Sequence, residues 1–223
     1  MNRPIRSYVL RQGRTTPAQK RALEVLLPKY GIGFSHQEIN PGVIFGRTAP
    51  LVLEIGSGMG ETTSTIAAAH PEADFIAVEV HGPGVGSLLN RVHQQGLANV
   101  RVIRHDAVEV LEGMVGDGTL AAVHLFFPDP WPKKRHHKRR LVQPDFVSLL
   151  ERKLIPGGVV HLATDWPDYA EHIAGVFGNS SFEKVEHGLV ERPGTKFEAR
   201  GRRLGHPIQD LYFRRRENAR AAR

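Results

Sequence analysis

The sequence predicts an α/β domain whose largely parallel sheet is covered by helices on both faces. Three observations carry that prediction. Short apolar runs closed by Gly or Pro alternate with helix-length amphipathic segments from residue 51 to residue 177. The runs are continuously apolar, as strands buried on both faces require. Acidic residues stand at or just past the ends of four successive runs, at Glu54, Glu79, Asp106 and Asp129. Those ends are where a doubly wound sheet binds its ligands.

Each element has a local reason. Residues 1–15 carry Arg3, Arg6, Arg11 and Arg14 around Tyr8-Val9-Leu10 and read as an arm that orders on contact. Thr16-Pro17 is an N-cap and first helical residue, opening a helix to residue 27 with Leu23, Leu26 and Leu27 on one face. Residues 31–50, dense in Gly and Pro, read as a loop. Strands are expected at 51–56, 75–79, 100–104, 120–127 and 159–163, the last entered through a tight turn at Pro156-Gly157-Gly158. Helices are expected at 61–70, 86–95, 108–114, 143–153 and 169–177, with Pro71 and Gly96 ending the first two. Residues 182–185 and 211–213 are the last apolar pieces, and the tail after Arg214 is expected to be disordered. The chain thus divides into a basic arm with a short helix and loop (1–45), a sheet domain (46–215) and a basic tail (216–223).

Composition narrows the partners. The 223 residues carry a formal net charge of +7, and the pI is about 10.0. An anionic partner is expected, nucleic acid before acidic membranes. No apolar run approaches the ~20 residues of a membrane helix, and the opening Met-Asn-Arg-Pro-Ile-Arg lacks the apolar core of a secretory signal. Cysteine is absent, which excludes disulfides and Cys-based zinc sites. His105, His136, His137 and His206 show no metal-ligand spacing, and no metal is expected. A cytoplasmic location fits these features.

The chemistry concentrates in residues 125–140, Leu-Phe-Phe-Pro-Asp-Pro-Trp-Pro-Lys-Lys-Arg-His-His-Lys-Arg-Arg. Pro128, Pro130 and Pro132 stop a strand and stiffen the turn that leaves it, because proline fixes φ and donates nothing to a sheet. Asp129 is therefore held on a rigid bend, with Trp131 as a wall. The basic run 133–140 can hold a polyanion while one of its bases enters beside Asp129. The first strand ends in Glu54-Ile-Gly56-Ser-Gly58-Met-Gly60, where glycine lets the backbone approach a ligand. Glu79 can accept both hydroxyls of a ribose. Asp106 either accepts from an adenine amino group or caps the next helix. A dinucleotide fingerprint is Gly-x-Gly-x-x-Gly around a pyrophosphate. Here the pattern is Glu-x-Gly-x-Gly-x-Gly; the leading acid repels phosphate and suits a cation. S-adenosylmethionine, with a sulfonium, an ammonium and no phosphate, fits that pattern. Asp129 and Asp165, on neighbouring strand ends, suit two tasks: offsetting charge that develops on a base, and accepting from its N–H groups. Which acid does which stays open. Residues 192–205, rich in Gly and Arg, either fold over the target base or merely connect.

These segments together resemble the bacterial tRNA (guanine-N7)-methyltransferase family. The resemblance rests on Leu53-Glu-Ile-Gly-Ser-Gly-Met-Gly60, Val78-Glu-Val-His-Gly-Pro-Gly-Val-Gly86, the 127–140 stretch, Thr164-Asp-Trp166 and Thr195-Lys-Phe-Glu198, and runs from about Arg6 to Arg214. It implies a class I S-adenosylmethionine-dependent methyltransferase, Rossmann-like, with a seven-stranded sheet whose last strand is antiparallel. It implies transfer of a methyl group to N7 of a guanine at position 46, in the variable loop of tRNA. By motif, Glu54, Gly56, Gly58, Gly60, Glu79, Asp106 and Asp129 are the expected cofactor-binding residues, and Asp129 the catalytic one. Lys133, Asp165, Thr195, Lys196, Phe197 and Glu198 are expected at the substrate. Arg135, His136, His137, Lys138, Arg139 and Arg140 are expected on RNA. The expected partner is tRNA, with no membrane, no obligate protein partner, and a monomer or homodimer. Three other readings compete: a methyltransferase acting on another RNA position or a small molecule, a non-catalytic RNA-binding subunit, and a nicotinamide dehydrogenase. The basic run weighs against the small molecule, the intact acids against the non-catalytic subunit, and the glycine spacing against the dehydrogenase.

Overall fold

The computed structural model describes residues 7–8, 13–193 and 208–217. The five expected strands form as β1 (Leu51–Ile55), β2 (Asp74–Val78), β3 (Val100–Ile103), β4 (Leu120–Phe126) and β5 (Leu154–Thr164). The last apolar pieces become β6 (Phe182–Val185) and β7 (Gln209–Arg215). One seven-stranded sheet results, in the order β3-β2-β1-β4-β5-β7-β6. The first five strands pair in parallel, whereas β7 runs antiparallel to both β5 and β6. The order reverses between β1 and β4, so a crevice opens there beyond the carboxyl ends.

The helices are α1 (Pro17–Val25), α2 (Leu27–Tyr30), α3 (Pro41–Phe45), α4 (Glu61–Ala69), α5 (Gly82–Gln94), α6 (Ala107–Gly113), α7 (Pro144–Lys153) and α8 (Pro167–Gly178). Alternate residues of each central strand serve opposite faces. Leu53, Ile76 and Val123 pack with Leu111, Phe146 and Ile173, under α6, α7 and α8. Val52, Phe75 and Ala77 pack with Ala22, Leu88 and Val92, under α1 and α5. Thr16 caps α1 reciprocally: its hydroxyl accepts from the Gln19 backbone N–H at 3.3 Å, and the Gln19 side-chain Oε1 accepts from the Thr16 N–H at 2.9 Å.

Three expectations change. The strand expected at 159–163 begins at Leu154, because Leu120 pairs with Leu154 while Ala122 pairs with Val159. Pro156-Gly157-Gly158 is thus a bulge inside β5, with Gly157 left-handed at φ 78°. Helix α5 starts at Gly82, not at 86, since Pro83 suits a first turn and the glycines meet backbone. A Cβ on Gly84 would strike the Gly58 carbonyl, and one on Gly86 would lie 2.6 Å from the Gln19 carbonyl oxygen. Residues 31–50 are not wholly loop: α3 lies there, and the Ile32 N–H donates to the Val102 carbonyl at 2.9 Å. The tail after 217 and most of the basic arm lie outside the described residues.

The close approach of α1 to α5 makes Gly86 a sensitive position. Gly86→Ala should push α1 outward and destabilise the domain by ~1–3 kcal/mol, the usual effect of overpacking. Urea unfolding checks this; an unchanged midpoint would show that α1 shifts freely.

Candidate active site

A cavity of about 260 Å³ opens at the carboxyl ends of β2, β1 and β4. Its wall includes Gly56, Glu79, Asp106 and Asp129 together with apolar Ile55, Val78, Val108 and Leu141. One residue from the end of each of four strands or their loops therefore meets in one place. The loop after β1 is shaped by three left-handed glycines, Gly56 (φ 75°), Gly58 (φ 55°) and Gly60 (φ 74°). A side chain at any of these would strain the backbone. At Gly60 a Cβ would also sit 2.5 Å from Leu88.

Glu79 follows β2 directly. One carboxylate oxygen accepts from the Gly58 N–H at 2.8 Å and the other from the His81 N–H at 2.8 Å. The acid thereby ties two loops together and still has lone pairs for a ligand. Asp106 caps a helix at the cavity wall. Its Oδ1 caps α6 by accepting from Val108 N–H at 2.8 Å and Glu109 N–H at 3.4 Å, and the residue lines the cavity.

Glu54, Gly58 and Gly60, expected at the cofactor, do not line the cavity. Glu54 is 4% exposed, within β1. Burial, reinforced by the Glu79 charge and opposed by the Thr63 hydroxyl, pushes its carboxyl up to about 7. Gly58 and Gly60 act through the shape of the loop.

The β4 side is strained. The Phe127 N–H still donates to the Ala163 carbonyl at 2.8 Å, extending the ladder to β5. The chain then turns through Pro128-Asp129-Pro130, with Phe127 at φ 52° and Trp131 at φ 46°. Both residues are bulky and both precede a proline, which favours extended backbone. Left-handed backbone at such residues costs on the order of 1–3 kcal/mol each and persists only where neighbours over-determine it. Here the Trp131 indole N–H donates to the Ser7 carbonyl at 3.0 Å, and the Arg140 Nε–H donates to the Pro130 carbonyl at 2.9 Å. Asp129 is exposed at the tip. Asp165, also exposed, lies two residues beyond Ala163, as Asp129 lies two beyond Phe127. The two acids follow adjacent strands whose last register pair is Phe126 and Ala163, although Asp165 does not line the cavity.

The basic run folds as a short 3-10 helix (Lys134–Arg139). Lys133, Arg135 and Lys138 are exposed, and Arg139 lies over the Trp131 ring at 4.9 Å. His136 and His137 are half-buried; His136 meets Trp131 edge-on. Burial, then the charges of Arg135 and Arg139, hold the His136 imidazole below its ordinary range. Arg140 corrects the expectation of an RNA contact. It is 3% exposed, pairs with Asp168 and stacks on Tyr169, so it fastens the bend instead of facing solvent. Thr195, Lys196, Phe197 and Glu198 lie outside the described residues. Among those described, no cluster of His, Asp or Glu could hold a metal, and no helix is long and apolar enough to cross a membrane.

Sequence reasoning missed Ser7 and Tyr8, which close the cavity's rim. It also missed Trp166, 37% exposed beside Asp165, and a polar group behind β4 and β5. His124 and His161, each 1% exposed, are register partners in otherwise apolar strands, and a histidine inside such a run is the signal that was available.

Sheet order and cleft position define a doubly wound α/β fold with its ligand crevice at the switch point. The aminoglycoside resistance methyltransferase NpmB1 shares the fold, with a TM-score of 0.57 and 13% identity over 80% of this chain and 94% of that one. Residues 48–211 match the family model described as "Putative methyltransferase". Proteins named tRNA (guanine-N(7)-)-methyltransferase are far closer. That of Nitrosomonas eutropha is 58% identical over 94% of this chain and 96% of its own. That of Nitrosomonas europaea is 57% identical over 95% and 97%. The chain belongs to the tRNA (guanine-N7)-methyltransferase family.

The burial of Glu54 makes stability depend on pH. Its folded pKa is raised from 4.5 to about 7, so it contributes stability that is present below pH 4.5 and lost as pH rises through 7. Over that gap the loss is roughly 3 kcal/mol. Glu54→Gln should therefore be more stable than the parent by ~1–3 kcal/mol at pH 8.5, with the difference shrinking towards pH 5. Urea titrations at both pH values would expose a pH-independent difference, which contradicts a burial penalty on the charge.

Proposed function

We propose that the chain transfers a methyl group from S-adenosylmethionine to N7 of a guanine in tRNA, at position 46 of the variable loop. The carrying observation is Asp129: a carboxylate on a strained, proline-locked bend shares a cavity with Glu79 and Asp106 and leads directly into a basic helix. Family membership supports the substrate.

The cavity fits the donor. Glu79 offers lone pairs to a ribose diol, Asp106 can accept from an adenine amino group, and Ile55, Val78 and Leu141 provide apolar walls for a base. Gly56 brings the backbone of the loop after β1 into the cavity wall. When bound, S-adenosylmethionine supplies an electrophilic methyl on a sulfonium. Guanine N7 carries a free lone pair and no proton, so the chain need not supply a base. As the N7–carbon bond forms and the sulfur–carbon bond breaks, the positive charge passes to the guanine ring. Asp129 stabilises that charge from a fixed position, and the bend aligns the groups in a line. Asp165 accepts from guanine N1–H and N2–H and so disfavours adenine, which lacks those donors. Trp166 presents an aromatic face beside it for stacking. Lys133, Arg135, Lys138 and Arg139 bind phosphates.

Incubation of unmodified tRNA with labelled donor, then nuclease digestion and mass spectrometry, tests the reaction and its position; a methyl elsewhere than N7 of guanine 46 would redirect the assignment. For Asp129→Asn, single-turnover methylation with both substrates saturating should fall by ~10²–10³-fold while tRNA binding survives. A rate within about threefold of the parent would remove Asp129 from the charge-stabilising role. On the RNA side, replacing Arg135, Lys138 and Arg139 with Ala should flatten the log–log salt dependence of tRNA binding by roughly one unit for each phosphate that is no longer neutralised. Arg140→Ala should instead lower the melting temperature, and a melt identical to the parent's would show that its buried contacts hold nothing.

A further inference from the structure

We propose that Arg192 and Asp210 form a clasp that positions the bend at 127–129 for methyl transfer, an inference that rests on the proposed role of Asp129. Arg192 lies outside the sheet yet its side chain is only 4% exposed. Its guanidinium meets Asp210 in two bonds, Nε–H to Oδ1 at 3.2 Å and Nη2–H to Oδ2 at 3.0 Å. The same planar group stands over the rings of Phe126, at 5.7 Å, and Phe127, at 5.4 Å. These are the last residue of β4 and the left-handed residue that starts the bend; both line the cavity.

Asp210 is itself fixed. It sits in β7 as the register partner of Ala163. Its Oδ1 lies 2.8 Å from Nε2 of His161, whose ring packs between Tyr212, stacked at 4.1 Å, and Phe126, edge-on at 4.8 Å. Burial holds the His161 imidazole below its ordinary range, against the pull of Asp210, so it donates as a neutral ring. Burial opposes ionisation of Asp210, but the bonds from His161 and Arg192 outweigh it and bring its carboxyl to about 2. The pair is thus a fixed ion pair at neutral pH. A left-handed Phe before a proline is unfavourable on its own. Ring stacking by a guanidinium held in a bidentate pair supplies the outside constraint. Arg192 is a positioning residue: it touches the walls of the cavity and acts on Asp129 through them.

The experiment is a double-mutant cycle in the full chain, read as single-turnover methylation with tRNA and S-adenosylmethionine saturating. Arg192→Met keeps the aliphatic stem and removes the guanidinium. Alone it should slow transfer roughly tenfold to a hundredfold, the scale of loss when a reacting group is slightly misplaced. In the Asp129→Asn background the same change should matter less than about threefold, because the group being positioned is already disabled. Arg192→Lys guards against misfolding: it keeps a cation beside Asp210 and so keeps the thermal melt, but lacks the planar fork, and it should also be slow. Equal losses in both backgrounds would overturn the clasp as a positioning device, as would a folded Arg192→Lys with the parent's rate. If Asp129→Asn alone is unimpaired, the role of Asp129 falls and the inference with it.

Discussion

The site depends first on the Glu79 carboxylate and the two backbone N–H groups it accepts. Gly58 belongs to the loop after β1 and His81 to the loop after β2. Strand pairing ends at Ile55 and Val78, with a last ladder bond from the Gly56 N–H to the Val78 carbonyl at 2.8 Å; beyond it the Glu79 carboxylate ties the two loops. Bonds from N–H to a charged acceptor contribute about 1.5–3 kcal/mol each, enough to fix the loops where they leave the ladder. Gly84 can then meet the Gly58 carbonyl, and Gly60 can meet Leu88. Glu79 also lines the cavity, so the group that builds the loops is part of the cavity wall.

Across the switch point the construction is different. Three prolines and two left-handed bulky residues shape the end of β4, and outside contacts hold it. Ser7 reaches Trp131 from the amino-terminal side, Arg140 grips the Pro130 carbonyl from the far side of the basic helix, and Arg192 covers Phe126 and Phe127 from behind. Segments far apart in sequence converge on one short bend. Such preorganisation suits a reaction in which alignment, not proton transfer, limits the rate.

The sheet carries a stability penalty beneath this site. Glu54, His124 and His161 are register neighbours on β1, β4 and β5, where apolar side chains would pack better. Burial, followed by the His161 and His70 charges, brings the His124 imidazole down to about 3, so it stays neutral through the physiological range. Glu54 is pushed the opposite way and holds its proton unusually far up the scale. Buried groups of this kind belong to functional sites more often than to framework, and His161 links the row to the Asp210–Arg192 pair.

Much of the architecture was legible because it depends on local patterning. Continuous apolar runs, Thr16-Pro17, and glycines after strands identify elements without reference to the rest of the chain. Glu79, Asp106 and Asp129 could be placed at one edge because parallel strands all end there. What failed is non-local. The helix expected at 86–95 omits the opening of α5, since glycine disfavours helices until Gln19 and Gly58 are known to press against it. Arg140 read as one more cation of the basic run, because a one-dimensional pattern cannot show that Asp168 and Tyr169 wait beneath it. Glu54 reads as a ligand contact because it precedes the glycines; the structure shows it buried in β1, outside the cavity wall. Sequence by itself determined which acids reach the carboxyl ends and that a basic segment follows one of them. Tertiary structure alone decided which of these groups stay in reach of a ligand and which become buried supports, because burial and pairing depend on segments brought together only by folding.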